Sequence, residues 1–243
     1  MHEGKDMLEC YVVLDLEMTG LNPKKDRIIE IGAARIKQGM VVEEYETFVN
    51  PGIKIPDKVT EITGITDDMV KSAPGITGLL TELFAFLGED VLLGHNLIFD
   101  YSFLKQAAIN EKLSFEKQGV DTLKIARKAL PNLEHRTLEY LCGYYGIARE
   151  NGHRALCDAI ATAQLFERLR EEYETEFNEV FQPGKLNYKA KRQTAATKNQ
   201  LQRLKELIDY HKISIDVDVE HLSRSEASRL TDKILSTHGK IQS

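Results

Sequence analysis

Tyr11-Val12-Val13-Leu14-Asp15-Leu16-Glu17 joins a β-branched, apolar run to two acids. As a strand rising about 3.3 Å per residue, it sends Asp15 and Glu17 out of one face about 7 Å apart, with Leu14 and Leu16 pointing the other way. Both acids therefore face one pocket. The following Met18-Thr19-Gly20-Leu21 ends the strand on a turn whose glycine lets backbone approach a ligand closely. By itself this pair is also compatible with a solvated strand end.

Two further extended runs, Ile28–Lys37 and Met40–Val49, meet at Gln38-Gly39 as a hairpin. Leu79, Leu80, Leu83, Phe84 and Leu87 give a helix over 75–88, Val91-Leu92-Leu93 a short buried strand, and Val120 closes another. Helices follow at 122–130, 137–146 and 155–178. A hairpin followed by alternating strands and helices predicts an α/β fold, with helices on the faces of a mixed five-stranded sheet.

Two more acids join the first pair. Asp100 lies in Gly94-His95-Asn96-Leu97-Ile98-Phe99-Asp100, where a strand hands over to a helix; there a negative charge gains about 0.3–1 kcal/mol from the helix N-terminus alone. Asp158 closes His153-Arg154-Ala155-Leu156-Cys157-Asp158. Five helical steps of about 100° would put His153 and Asp158 on different faces, so they converge only if His153 precedes the helix, in a loop opened by Asn151-Gly152.

In this order, Asp15-x-Glu17, His95-Asn96-x-x-x-Asp100 and His153-x4-Asp158 resemble the three exonuclease motifs of the DEDD superfamily, histidine subclass. Asp26-Arg27-Ile28-Ile29-Glu30-Ile31-Gly32, Thr63-Gly64-Ile65 and Thr137-Leu138-Glu139-Tyr140 extend the likeness to the proofreading epsilon type of bacterial DNA polymerase III, over about residues 8–175. The resemblance implies a ribonuclease H-like fold and 3′→5′ exonuclease activity releasing nucleoside 5′-monophosphates. It implies two divalent cations, Mg²⁺ or Mn²⁺, on Asp15, Glu17, Asp100 and Asp158, with Asp15 between them and Asp100 acting largely through water. All-oxygen ligands suit such ions, and a pair of them stabilises both oxygens of an in-line displacement at phosphorus. His153 is implied as the general base, a role that suits an imidazole with an ordinary pKa of about 6.5. Backbone around Met18, Thr19, Gly20 and Leu21 is expected to hold the terminal nucleotide, with Leu21 beside its base and Asn96 at the strand-to-helix turn. Met18 departs from the epsilon pattern and is similar to oligoribonucleases, which leaves DNA and RNA both open. His95 and Asp121 are expected to be structural, Asp121 as a helix cap.

Charge separates the rest of the chain. Residues 1–184 carry a net charge of −11, whereas residues 185–212 hold eight basic and two acidic side chains. This argues against a protein that coats nucleic acid by bulk charge. Thr197-x-x-Gln200 and Ser223-x-x-Glu226 are capping boxes for two short helices, separated by the alternating run Ile213–Val219. The expected organisation is an exonuclease domain over 1–180, a basic linker over 181–196, and a helix–extended–helix module over 197–243 that binds nucleic acid or a partner. Three cysteines without C-x-x-C spacing, and no apolar run of about 18 residues, point to a cytoplasmic protein with no membrane association. The expected partner is a single-stranded or frayed 3′ end of DNA, or RNA, with a polymerase or repair protein as a second possibility. Two alternatives stay open: a ribonuclease trimming RNA 3′ ends or degrading oligoribonucleotides, and a binding subunit of a replication or repair assembly.

Overall fold

The computed structural model describes residues 8–149, 152–215 and 217–241. In chain order it forms β1 (Cys10–Met18), β2 (Ile28–Lys37), β3 (Met40–Phe48), α1 (Asp57–Thr63), α2 (Asp67–Val70), α3 (Ile76–Leu87), β4 (Val91–Gly94) and α4 (Leu97–Asn110). There follow β5 (Gln118–Asp121), α5 (Thr122–Ala129), α6 (Leu138–Tyr145), α7 (Ala155–Tyr173), α8 (Asn178–Phe181), β6 (Gly184–Lys185), α9 (Lys198–His211) and α10 (Arg224–His238). Among the described residues the sheet has six strands in the order β3-β2-β1-β4-β5-β6. β1, β4 and β5 run parallel; β2, β3 and β6 run against their neighbours. The fold is the ribonuclease H-like α/β fold, with one strand more than the five expected. That strand is a two-residue pairing of Gly184 and Lys185 with β5, too short to leave a pattern in the sequence. Residues 184–188, expected in a linker, thus belong to the body: Leu186 is buried and Tyr188 packs against the same core.

Side-chain alternation on β1 divides the interior in two. Val12, Leu14 and Leu16 face a core built with α3 and α4. Tyr11 and Val13 face a second core built with α5, α6 and α7. Asp15 and Glu17 continue the second set, so period two alone carries them toward the helix that bears Asp158. The acids sit at the carboxyl end of the parallel strands, where open α/β sheets commonly bind ligands.

The start of α7 is fixed by β2. Glu30, fully buried, accepts from the backbone N of Ala155 (2.9 Å) with one oxygen and from Arg154 Nε (2.9 Å) and NH2 (2.6 Å) with the other. α7 has no side-chain cap of its own, so a carboxylate from the sheet takes that place. Two residues on, Gly32 lets the backbone of Ala155 and Leu156 lie directly against the strand, where any Cβ would collide with it.

Beyond β6, α9 and α10 pack around Leu204, Leu207, Leu222, Ala227 and Ile234. Both capping boxes form as the sequence predicts. The run between them forms no ladder strand among the described residues: Asp218 is extended and Val217 bridges to Ile53 of the body, Val219–His221 make a 3₁₀ turn, and Asp216 lies outside the described residues. Arg27 pairs with Glu226 (2.7 Å) and Gln106 Nε2 donates to the Lys191 carbonyl (2.9 Å), which ties this unit to the body. No helix among the described residues is long and apolar enough to cross a membrane.

Gly32→Ala should cost about 3 kcal/mol, at the upper end of overpacking penalties, because backbone rather than a mobile side chain must move. Urea unfolding would measure it, and a loss below about 0.5 kcal/mol would show that α7 does not need the close approach.

Candidate active site

Asp15, Glu17, Asp100, His153 and Asp158 line one cleft of about 640 Å³. β1 presents Asp15 and Glu17, the first turn of α4 presents Asp100, and the first turn of α7 presents Asp158. His153 precedes α7 in a left-handed backbone conformation (φ 67°), so it lies outside the helix as the angular argument requires. Side-chain ligand atoms of Glu17, His153 and Asp158 lie within 4.8 Å of one another. Asn151, expected to open this loop, lies outside the described residues.

The cleft concentrates negative charge. Burial, then the neighbouring Asp100, Glu17 and Asp158, hold the Asp15 carboxyl well above the usual carboxylate range, with Arg149 pulling the other way. Burial likewise raises Asp100, although backbone hydrogen bonds at Asp100 itself and Leu16 partly oppose it. Glu17 is pushed up to about 7 by burial and by Asp158 and Glu30. Each of these groups is held toward its neutral form chiefly by burial, and for Asp15 and Glu17 the repulsion of neighbouring carboxylates outlasts the pull of nearby arginines.

The sequence gives no hint of Arg149. Its guanidinium grips Asp158 with both arms, Nε to Oδ1 at 2.6 Å and NH2 to Oδ2 at 2.5 Å, in a largely buried pair. The His153 backbone N also donates to Asp158 Oδ2 (3.3 Å). An arginine in the connection between two helices has no periodicity to betray it. An acid inside the buried run Ile28-Ile29-Glu30-Ile31 is a readable signal for Glu30, since a fully buried carboxylate must be paired.

The turn after β1 is tied together by its own hydrogen bonds. The Thr19 backbone N donates to the Arg27 carbonyl (2.8 Å) and Thr19 Oγ1 accepts from the Arg27 N (2.9 Å), so the Thr19 amide is already engaged within the turn. Gly20 packs on Asp26, whose carboxylate would lie 2.5 Å from any Cβ there, and that carboxylate accepts from the Asn22 N (2.7 Å). Met18, Thr19, Gly20 and Leu21 all line the cleft, with Leu21 82% exposed. Asn96 does not line it: its left-handed backbone (φ 64°) turns β4 into α4, its N–H donates to Asp121 Oδ1 (2.9 Å), and the residue is exposed. Asp121 also caps α5 through the Leu123 N (3.0 Å), and His95 bonds Thr122 Oγ1 and the Arg136 carbonyl, each at 2.9 Å.

The family model for the RNase T type of exonuclease matches residues 12–166. The chain is 40% identical over 166 residues to a PolC-type DNA polymerase III of Clostridium perfringens, covering 67% of this chain but 12% of that protein. The Bacillus subtilis PolC-type polymerase is 38% identical over 160 residues, and there the chain spans 11% of the relative's length. Against the DNA polymerase III subunit epsilon of Aquifex aeolicus it is 34% identical over 163 residues, 67% of this chain and 81% of that one.

Among solved structures, exonuclease X in complex with 5′-overhanging duplex DNA shares the fold at a TM-score of 0.56 and 21% identity, over 71% of this chain and 99% of that one. The nuclease domain of 3′hExo, a DEDDh family member bound to rAMP, does so at 0.60 and 19%, over 70% and 96%. Exonuclease I of E. coli in complex with a dT13 oligonucleotide gives 0.63 and 20%, over 71% and 43%. A family match across most of the body, and a relative most of whose length is spanned, agree with the reading of the three motifs: the chain belongs to the RNase T family of exonucleases.

Proposed function

We propose that this chain is a metal-dependent 3′→5′ exonuclease that removes nucleoside 5′-monophosphates from the 3′ end of DNA. The observation that carries the reading is the convergence of four carboxylates and His153 in one cleft. Exonucleases of this kind use divalent metals. The donor set fits hard cations, being all oxygen apart from one imidazole, and three of its carboxyls are held toward the neutral form, first by burial and then by one another's charge. Two ions, Mg²⁺ or Mn²⁺, would be held by Asp15, Glu17, Asp100 and Asp158. When bound, they neutralise these acids and polarise the phosphoryl group under attack.

The chain's own groups do the rest. An imidazole nitrogen of His153 takes the proton from the attacking water as its oxygen bonds to phosphorus and the bond to the 3′ oxygen breaks. The shortened strand keeps a 3′ hydroxyl and the released nucleotide keeps its 5′ phosphate. Leu21, exposed at the rim, meets the terminal base. Arg149 neutralises Asp158, and for that carboxylate to hold a cation the guanidinium would have to release it. Half-buried Met18, oligoribonuclease-like in its motif, favours a second reading in which RNA 3′ ends are trimmed. A polymerase subunit is the natural protein partner, given the relatives' names. Faster hydrolysis of an RNA oligonucleotide than of the matched DNA would favour the second reading.

Asp15→Asn removes one charge at nearly constant shape. Turnover should fall roughly 1,000-fold or more, the equivalent of several kcal/mol of metal catalysis, with thermal stability retained. Near-normal Mg²⁺-dependent hydrolysis by the folded variant would overturn the assignment.

His153→Ala should lose roughly 100- to 10,000-fold in turnover, the usual worth of a general base, while Mn²⁺ affinity changes only a few-fold. A matching loss of metal affinity would make His153 a ligand instead.

Metal binding should depend on pH with a definite sign. A Glu17 carboxyl raised to about 7 contributes stability that is complete below the unfolded carboxylate range and is lost as pH rises through about 7. A saturating cation opposes that loss. Mn²⁺ at about 100 times its Kd should therefore raise Tm by roughly 5–10 °C at pH 8 and clearly less at pH 5.5. In Arg149→Ala the metal-free protein should be less stable and the Mn²⁺-induced rise larger. An equal or smaller rise would show that the guanidinium does not compete with the cation.

A further inference from the structure

A second cleft, of about 360 Å³, opens between the body and the unit formed by α9 and α10. Lys25, Gly52 and Ile53 contribute its body side; Arg229, Leu230 and Lys233 contribute its α10 side. The same two stretches of the body line the catalytic cleft. The end of β1 and the turn after it supply Met18–Leu21 there and Lys25 and Arg27 here, while the stretch running into α1 supplies Pro56 and, from α1 itself, Lys58 there and Pro51, Gly52 and Ile53 here. The two clefts therefore draw on the same two stretches of chain, and exposed Leu21 lies on one of them.

The charge along this path is uneven in a specific way. Arg27 is committed to Glu226, and that pair fastens α10 to the turn. Lys25, Arg229 and Lys233 are exposed and form no ion pair among the described residues, nor does Lys58 at the mouth of the catalytic cleft. Arg229 and Lys233 are four residues apart on α10, so their stems rise from the same face about 5–6 Å apart. Asp218 and Glu226 are the acids on the second cleft, and Glu226 is neutralised by Arg27. A polyanion approaching a body with net charge −11 is repelled over most of the surface, whereas this path offers unpaired cations beside apolar Ile53 and Leu230. Cations that track a backbone, next to apolar surface for sugars and bases, are what single-stranded nucleic acid requires.

We propose that this second cleft binds the upstream, 5′-ward stretch of the single DNA strand whose 3′ end occupies the catalytic cleft, with Lys25, Arg229 and Lys233 on its phosphates. The proposal rests on the exonuclease reading and adds a substrate path to it. The C-terminal unit then sets how long a strand the enzyme holds, and short products that cannot reach α10 leave more readily.

The test compares the full chain with its Arg229→Gln/Lys233→Gln variant, both substitutions lying on an exposed helix face. Binding of dT3 and dT15 is followed by fluorescence anisotropy from 50 to 200 mM salt, and hydrolysis of both is followed with Mg²⁺. The variant should bind dT15 roughly 10-fold more weakly, and its slope of log affinity against log salt should be flatter by about 1.4, from two lost contacts at about 0.7 each. Hydrolysis of dT3 should be unchanged. Unaltered dT15 affinity and slope with intact dT3 hydrolysis would overturn the proposal while leaving the exonuclease reading standing, and would make α10 a face for a protein. A failure of the unsubstituted chain to hydrolyse either oligonucleotide would instead refute the exonuclease reading, and the anisotropy arm would still decide the cleft.

Discussion

Asp15, Glu17, Asp100 and Asp158 share a cleft in which each unit-charge pair at about 4 Å would repel by about 4 kcal/mol at an effective dielectric near 20. No group of side chains adopts that arrangement unaided. The β1 ladder fixes the first two acids, the αL turn at Asn96 delivers the third, and the grip of Glu30 on the start of α7 delivers the fourth. Within the second hydrophobic core, the packing of α7 on β1 and β2 opposes the repulsion. Arg149 is the local answer to the same problem, a cation hydrogen-bonded to Asp158 whose charge is also felt by Asp15 and Glu17.

The parts of this arrangement that follow a period were readable from the chain. Alternation put Asp15 and Glu17 on one face, and the helical angle put His153 before α7. What the sequence concealed depends on contacts between distant residues. Arg149 and Asp158 are nine positions apart across a loop, and Glu30 and Ala155 are 125 apart. Neither pairing has a local signature, although an acid within an isoleucine-rich strand does signal a buried partner. The short helices α1 and α2 were missed because four to seven residues after a proline-rich turn show no repeat. The Thr19 amide serves Arg27, a partner visible only once β1 and β2 are paired.

The C-terminal unit shows the same division. Its two capping boxes are local and formed as read, whereas the run between them alternated like a strand without having strands on which to pair. Val217 meets Ile53 instead, and Glu226, a capping residue, also reaches Arg27 of the body. One carboxylate thereby closes a helix end and fastens the unit beside the turn that borders the catalytic cleft.

β6 is only two residues long, yet it decides where the body ends. Without Gly184 and Lys185, the backbone groups of Gln118 and Gly119 that they satisfy would face solvent as an open sheet edge, a template on which the same strand of another copy can pair. Loss of Leu186 would also uncover part of the core beneath. A body cut after Gln182 would therefore tend to self-associate whatever its catalytic state, and one that keeps the chain through Tyr188 would not.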